Sequence, residues 1–259
     1  MKLLTINTHS LIEPDYERKL CIFCDTVCRI KPDIIAMQEV NQRLDSPPVT
    51  PGKGCVIRED NHALRVCNEL LNKGVKYQYI WQGIKESYGT FEEGVAVLTN
   101  QTVTDAESFV ISRKNDKKDW KTRAALGIKV NNIWFYSIHT GRDDDTADPF
   151  SKQWGRFLDK TNGKGTVFVM GDFNCPHNGA GYRRVIDSGW FDTYYMARHK
   201  DDGITVPGAI DGWRDIEPQN MRIDYIFTNE KTDIKSSEVI FNGKNEQAIS
   251  DHYGVMITL

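Results

Sequence analysis

The chain of 259 residues has no apolar run approaching a membrane span, which excludes a transmembrane helix. It has no excess of positive charge: 33 Lys and Arg stand against 36 Asp and Glu, for a net charge of −3. The missing basic footprint disfavours a broad nucleic-acid interface. The opening residues, Met1 to Asn7, turn polar too soon for a secretory h-region, so the protein is expected in the cytoplasm, where its six cysteines stay reduced thiols. Cys21, Cys24 and Cys28 have no second cysteine pair to complete a zinc site, and their helical spacing reads as small packing residues. A Walker A motif is lacking, since Lys53 and Lys164 are each followed by glycine. Asp143 to Asp145 lack the glycine and terminal glutamate of an EF-hand loop. With no repeat, linker or low-complexity segment, residues 1–259 read as a single domain.

What is present is a series of buried strands. Val167 to Met170 are apolar, Gly171 lets the backbone bend, and Asp172 and Asn174 follow on one side of an extended chain. Lys2 to Thr8, Asp33 to Val40, Tyr77 to Ile84, Gly94 to Thr99, Arg123 to Val130, Ile133 to His139, Arg222 to Thr228 and His252 to Leu259 also carry strand composition. Tyr16, Leu20, Phe23, Val27 and Ile30 fall at helical spacing before Pro32, and a second helix runs from Asn61 to Asn72 with Leu64, Cys67, Leu70 and Leu71 inward. A third helix is expected over Pro149 to Asp159, and Val130-Asn-Asn-Ile133 reads as a hairpin turn. Gly189 to Gln219 reads as an aromatic-rich loop. This alternation predicts an α/β fold, two packed mixed sheets with helices outside.

Polar residues gather at the strand ends. Asn7, Glu39, His139, Asp172 and Asn174 follow apolar runs, while Asp224 and Asp251-His252 open the late strands. If the late strands run opposite to the early ones, all of these converge on one edge. Carboxylates with amides suit a hard cation such as Mg²⁺, and histidines beside a spare aspartate suit proton transfer and phosphate contact. Taken singly, Gly-Asp-Phe-Asn is also an Asx-turn sequence and His139 also a core histidine.

Together the segments Thr5-Ile-Asn7, Gln38-Glu-Val40, Ser137-Ile-His139, Gly171-Asp-Phe-Asn174, Arg222-Ile-Asp-Tyr-Ile226 and Ser250-Asp-His252 resemble the endonuclease/exonuclease/phosphatase superfamily, with its deoxyribonuclease I-like fold. The resemblance implies a four-layer α/β/β/α sandwich and a Mg²⁺-dependent phosphoesterase, with Mn²⁺ as a substitute ion. It implies that Glu39 is the main metal carboxylate, with Asn7 and Asp251 at or near the coordination shell. Asp172 would orient or deprotonate the attacking water, and Asn174 would hold the phosphoryl oxygens. His252, oriented by Asp224, would contact phosphate or act as acid and base, with His139 a second phosphate-side group and Arg123 a substrate contact. Metal number and the identity of the base stay open.

The segments Phe91 to Val95, His139 to Gly141, Gly189 to Tyr194 and Asp211 to Trp213 resemble a bacterial branch of that superfamily that includes maltose 6'-phosphate phosphatases. This implies a sugar-phosphate substrate, with Trp213 or Trp120 stacking on a sugar ring. A nuclease is the first alternative and would use the basic cluster Arg113, Lys114, Lys117, Lys118, Lys121 and Arg123, which otherwise reads as a solvated hairpin. A sphingomyelinase-like phosphodiesterase is the second. A non-catalytic binding module is the third, and it would be expected to have lost some of these positions.

Overall fold

The computed structural model describes residues 1–49, 55–208 and 220–259. Its strands make two sheets, seven-stranded and six-stranded. The first contains β1 (Lys2–Asn7), β2 (Ile34–Arg43), β3 (Gln78–Ser87) and β4 (Phe91–Thr99). The second contains β5 (Asp105–Val110), β6 (Ala124–Val130), β7 (Ile133–His139), β8 (Val167–Asp172) and β9 (Phe191–Asp192). β10 (His199–Lys200), β12 (Ser236–Ile240) and β13 (Gly254–Thr258) complete the first sheet, in the order β10-β12-β13-β1-β2-β4-β3, while β11 (Asp224–Thr228) joins the second, in the order β5-β6-β7-β8-β11-β9.

Both sheets bury both faces, which explains the near-continuous apolar runs. Between them lie Leu3, Ile34, Ala36 and Val97 from the first sheet against Leu126, Ile128, Phe135, Phe168 and Met170 from the second. Outside the first sheet pack α1 (Tyr16–Ile30) and α2 (His62–Asn72), with Leu20, Phe23, Val27, Val66 and Leu70 inward. Outside the second pack α3 (Phe150–Thr161) and α4 (Ala180–Asp187), where Trp154 and Phe157 meet Tyr136, Phe173 and Phe227. The result is the expected four layers. No described helix is long and apolar enough to cross a membrane.

Local chemistry sets the element ends. Asn61 caps α2 by accepting from the Leu64 amide at 3.2 Å, and Gly74, at φ 80°, ends the turn after it. Asn131 and Asn132 both take positive φ, which lets β6 and β7 join through a tight hairpin. The buried face of α2 keeps Cys67 and Leu70 as expected and adds His62, Ala63 and Val66, while Leu71 is exposed and Leu64 half-buried. β5, α4 and β12 were not anticipated: their exposed residues interrupt the apolar pattern. All six cysteines are free, and burial pushes the Cys24 thiol up, in keeping with a packing role.

His62 is buried and takes the Tyr16 hydroxyl on Nδ1 at 2.8 Å. Burial, reinforced by Arg65, lowers its pKa to about 3. The folded chain therefore keeps His62 neutral while the unfolded chain takes up a proton below about pH 6.5. This contribution is complete above that pH and is lost as the pH falls toward 3. Between pH 6.5 and 4.5 the native protein should lose about 2–3 kcal/mol more stability than His62→Gln, which lacks the proton uptake. Urea unfolding of both across that range is the measurement; parallel pH curves would remove His62 from the account.

Candidate active site

The parallel pairs β1–β2 and β7–β8, with β11 antiparallel to β8 and β13 antiparallel to β1, bring the polar strand ends to one edge. Two β-bulges shape the first-sheet half. The β2–β4 register shifts between Met37 and Val40, and the β3–β4 register shifts between Gly83 and Lys85. Both shifts face Gly94, which pairs with Val40 on one side and Gly83 on the other. A Cβ on Gly94 would stand 2.1 Å from the Gln82 carbonyl oxygen, so only glycine fits. The first bulge puts Glu39 at φ 50° and turns its carboxylate to the cleft; the second does the same for Lys85.

The second-sheet half is built on Gly171, at φ 151°, where a Cβ would meet the Ile138 carbonyl oxygen at 1.9 Å. That approach puts Asp172 beside His139, whose Nε2 lies 3.6 Å from Asp172 Oδ2. The Asn174 amide donates to Asp172 Oδ1 at 2.8 Å, and the Asn174 carboxamide donates to the Thr140 carbonyl at 3.0 Å. Asp224 is the cross-strand partner of Asp172 and accepts from His252 Nδ1 at 2.9 Å. His252 Nε2 then lies 3.9 Å from Asp172 Oδ2. Asn7 bridges the sheets, donating from Nδ2 to Glu39 Oε1 at 2.9 Å and to Asp172 Oδ2 at 3.2 Å. Behind it, Gln38 Nε2 donates to Ser137 Oγ at 2.9 Å, which donates to the Met37 carbonyl at 3.0 Å.

Burial divides the ionisable groups by task. Desolvation raises the Asp172 carboxyl to about 7, against the pull of His252. His139 is held well below the usual range by burial and then by Arg123 and Lys85, so it stays neutral. Burial works against charge on His252 too, but Asp224 and Asp172 outweigh it and hold the ring protonated. Burial and the neighbouring Glu93 raise Glu39. Two histidines flanking one carboxylate thus carry opposite protonation states.

These groups line a cleft of about 750 Å³. Of the sequence-expected site residues, Glu39, Arg123, His139, Asp172, Asn174, Asp251 and His252 line it, while Asn7 and Asp224 support from behind. Trp213 lies outside the described residues, and so does the rest of Asp211 to Trp213. Gly189 to Tyr194 does not face the site: Trp190 packs edge-on against Trp154 at 5.2 Å, and Asp192 pairs with Arg222 at 2.7 Å. That segment is core, filled by the need to cover α3 and α4, and residues 191–200 carry β9, α5 (Thr193–Met196) and β10 rather than loop alone. Trp120, by contrast, is 65% exposed and lines the cleft.

Sequence reasoning missed Lys85, Glu93 and His9, all of which line the cleft. The signal for Glu93 was the acidic pair Glu92-Glu93 ahead of the apolar run Val95 to Leu98. Lys85 Nζ meets Glu93 Oε1 at 3.0 Å, with both side chains buried. His9 Nδ1 lies 2.7 Å from Glu13 Oε1, and ligand atoms of His9, Glu13 and Asp251 lie within 4.8 Å of one another. Half of the basic cluster is matched by acids: Lys117 pairs with Glu92, Lys121 with Asp145 at 2.7 Å and Lys114 with Asp119 at 3.8 Å.

A family model described as Endonuclease/Exonuclease/phosphatase family matches residues 4–252. A solved endonuclease/exonuclease/phosphatase family protein from Leptotrichia buccalis superposes with a TM-score of 0.91 at 34% identity, covering 100% of this chain and 98% of that one. A mannosyl-6-phosphatase from Bacteroides thetaiotaomicron (TM-score 0.69, 16% identity, 100% and 98% covered) shares the fold. So does a 3'-5' exonuclease from Neisseria meningitidis (TM-score 0.68, 17% identity, 100% and 99% covered). No curated protein matches the sequence.

Asp224 and His252 form one hydrogen-bonded unit, so their removal should not multiply. Asp224→Asn/His252→Ala should hydrolyse a phosphoester little more slowly than the poorer single variant. Independent, multiplying losses in kcat/KM would show that the two side chains act separately.

Proposed function

Because the chain belongs to the endonuclease/exonuclease/phosphatase family and is a metal-dependent hydrolase of phosphoric esters, we propose that it is a phosphomonoesterase acting on a small sugar phosphate with Mg²⁺. The observation that carries this reading is the distribution of charge around the cleft. Rim cations such as Lys121 and Arg142 face Asp145 and Asp144, whereas the floor holds Arg123, Lys85 and His252. Binding strength is thus concentrated on one phosphate, and the rim gives little to phosphates flanking it, as a nuclease would need. Trp120 offers the rim an apolar face suited to a sugar ring. One structural relative, the mannosyl-6-phosphatase, acts in this class; another, the exonuclease, represents the alternative.

The donor set fits a hard divalent ion. Glu39 and Asp251 offer carboxylate oxygens at the cleft, Asn7 holds Glu39 through its Nδ2, and the raised Glu39 carboxyl marks a place where added positive charge is favoured. Bound there, the ion would supply charge to the phosphoryl oxygens and lower the pKa of a water. Asp172, whose carboxyl is raised by burial, orients the attacking water or takes its proton. His252, kept protonated and oriented by Asp224, donates from Nε2 to the phosphoryl group. The Asn174 carboxamide, held by Thr140, steadies the phosphoryl oxygens.

Chelation should abolish turnover, with Mg²⁺ or Mn²⁺ restoring it, and Glu39→Gln should lose at least ~10²-fold in rate. Full activity of Glu39→Gln at limiting Mg²⁺ would sink the metal assignment. On substrate class, phosphate should be released from a phosphosugar with a KM that varies weakly with salt, and duplex DNA should be a poor substrate. Trp120→Ala should raise KM for the phosphosugar by about 2- to 10-fold and leave an aryl phosphate less affected, since the sugar loses its stacking face. Efficient nucleic-acid cleavage without phosphate release from any phosphosugar would move the assignment to a nuclease.

A further inference from the structure

Lys85 is placed at considerable cost. Its side chain is 8% exposed, its strand carries a bulge immediately before it, and the bulge is accommodated by Gly94 opposite. Burying an ammonium beside a carboxylate is a weak source of stability, because desolvation offsets the attraction. Burial lowers the Lys85 pKa, as does Arg123, while Glu93 and Glu39 work in the opposite sense. Lys85, Arg123 and His252 line one cleft together with His139 and Asp172, so three basic side chains border the same space. Arg123 adds a second pointer: its side chain is buried, its NH1 is held by the Trp120 carbonyl at 2.8 Å, and its Nε has no protein partner. That part of the cleft is rich in donors.

We propose that Lys85 is a specificity-determining residue that binds the non-bridging oxygens of a terminal phosphate and makes this site favour monoesters over diesters. The proposal rests on the phosphomonoesterase reading above. A monoester phosphate carries a charge of about −1.5 to −2 near neutrality, with three free oxygens. A diester carries one charge, and its second ester arm replaces one of those oxygens. A buried ammonium and guanidinium lining the same cleft reward the additional charge and the third free oxygen, both of which a diester lacks. Glu93 holds the Lys85 ammonium in place when phosphate is absent.

The test compares kcat/KM for 4-nitrophenyl phosphate and bis(4-nitrophenyl) phosphate in the wild type, Lys85→Gln, Glu93→Gln and Lys85→Gln/Glu93→Gln, with thermal unfolding as the fold control. Lys85→Gln should lose roughly 30- to 100-fold on the monoester, the size of one charge-assisted contact. It should lose distinctly less on the diester, so that the preference falls at least ~10-fold, and competitive inhibition by inorganic phosphate should weaken in parallel. If Lys85 served only to neutralise Glu93, adding Lys85→Gln to Glu93→Gln would cost nothing; the proposal requires the preference to fall in that background as well. A wild type that prefers the diester overturns the monoesterase reading. A wild type that prefers the monoester, with that preference surviving in the Lys85 variants, overturns the Lys85 assignment alone.

Discussion

Asn7 donates one amide group to two carboxylates on different sheets, and the site depends on that bridge. Glu39 and Asp172 repel each other, and each is costly to bury without a partner. The shared donor stabilises both and fixes their separation. It works because Gln38 and Ser137 hold the sheets together directly behind it. Sheet packing and the positions of the two cleft carboxylates are therefore the same constraint. An apolar contact at this point would permit sliding, whereas a directional hydrogen bond does not.

A second consequence of burial is the division of labour around Asp172. The two imidazoles beside it, His139 and His252, are both sunk in the protein. Burial alone would neutralise both. Asp224 reverses that outcome for His252, and Arg123 with Lys85 reinforces it for His139. Two copies of the same side chain are set to different states by their second neighbours.

Much of this was readable in the chain itself. A buried strand ending in Asp172, Asn7, Glu39 or His139 is a local pattern, and local patterns survive in sequence. The direction of the late strands followed from requiring Asp224 and His252 to meet Asp172, and the antiparallel pairings satisfy it. What was not readable is relational. A register shift belongs to a pair of strands, so Gly83-Ile84-Lys85 gives no sign that Lys85 turns into the cleft. The aromatic stretch around Trp190 was open to either reading for a related reason: aromatic content states what a segment buries and not which surface it meets. On α2, likewise, polar His62 is buried while apolar Leu71 faces solvent, a choice made by the surface it packs on.

The paired bulges beside Gly94 have a consequence for how this site can change. Each adds one residue to a strand on either side of β4, and a one-residue offset exchanges the two faces of a strand. The lower part of the β3–β4 hairpin keeps phase with the core, while the part from Lys85 to Phe91 runs on its own phase. The tip, carrying Tyr88 at the cleft edge, is thereby decoupled from the packing beneath it. Such a hairpin can be lengthened, shortened or exchanged in whole turns without reopening the interior. Glu39 lines the cleft from β2 and Lys85, Tyr88 and Glu93 from the hairpin above the offset, so the two parts of the cleft wall can drift at different rates.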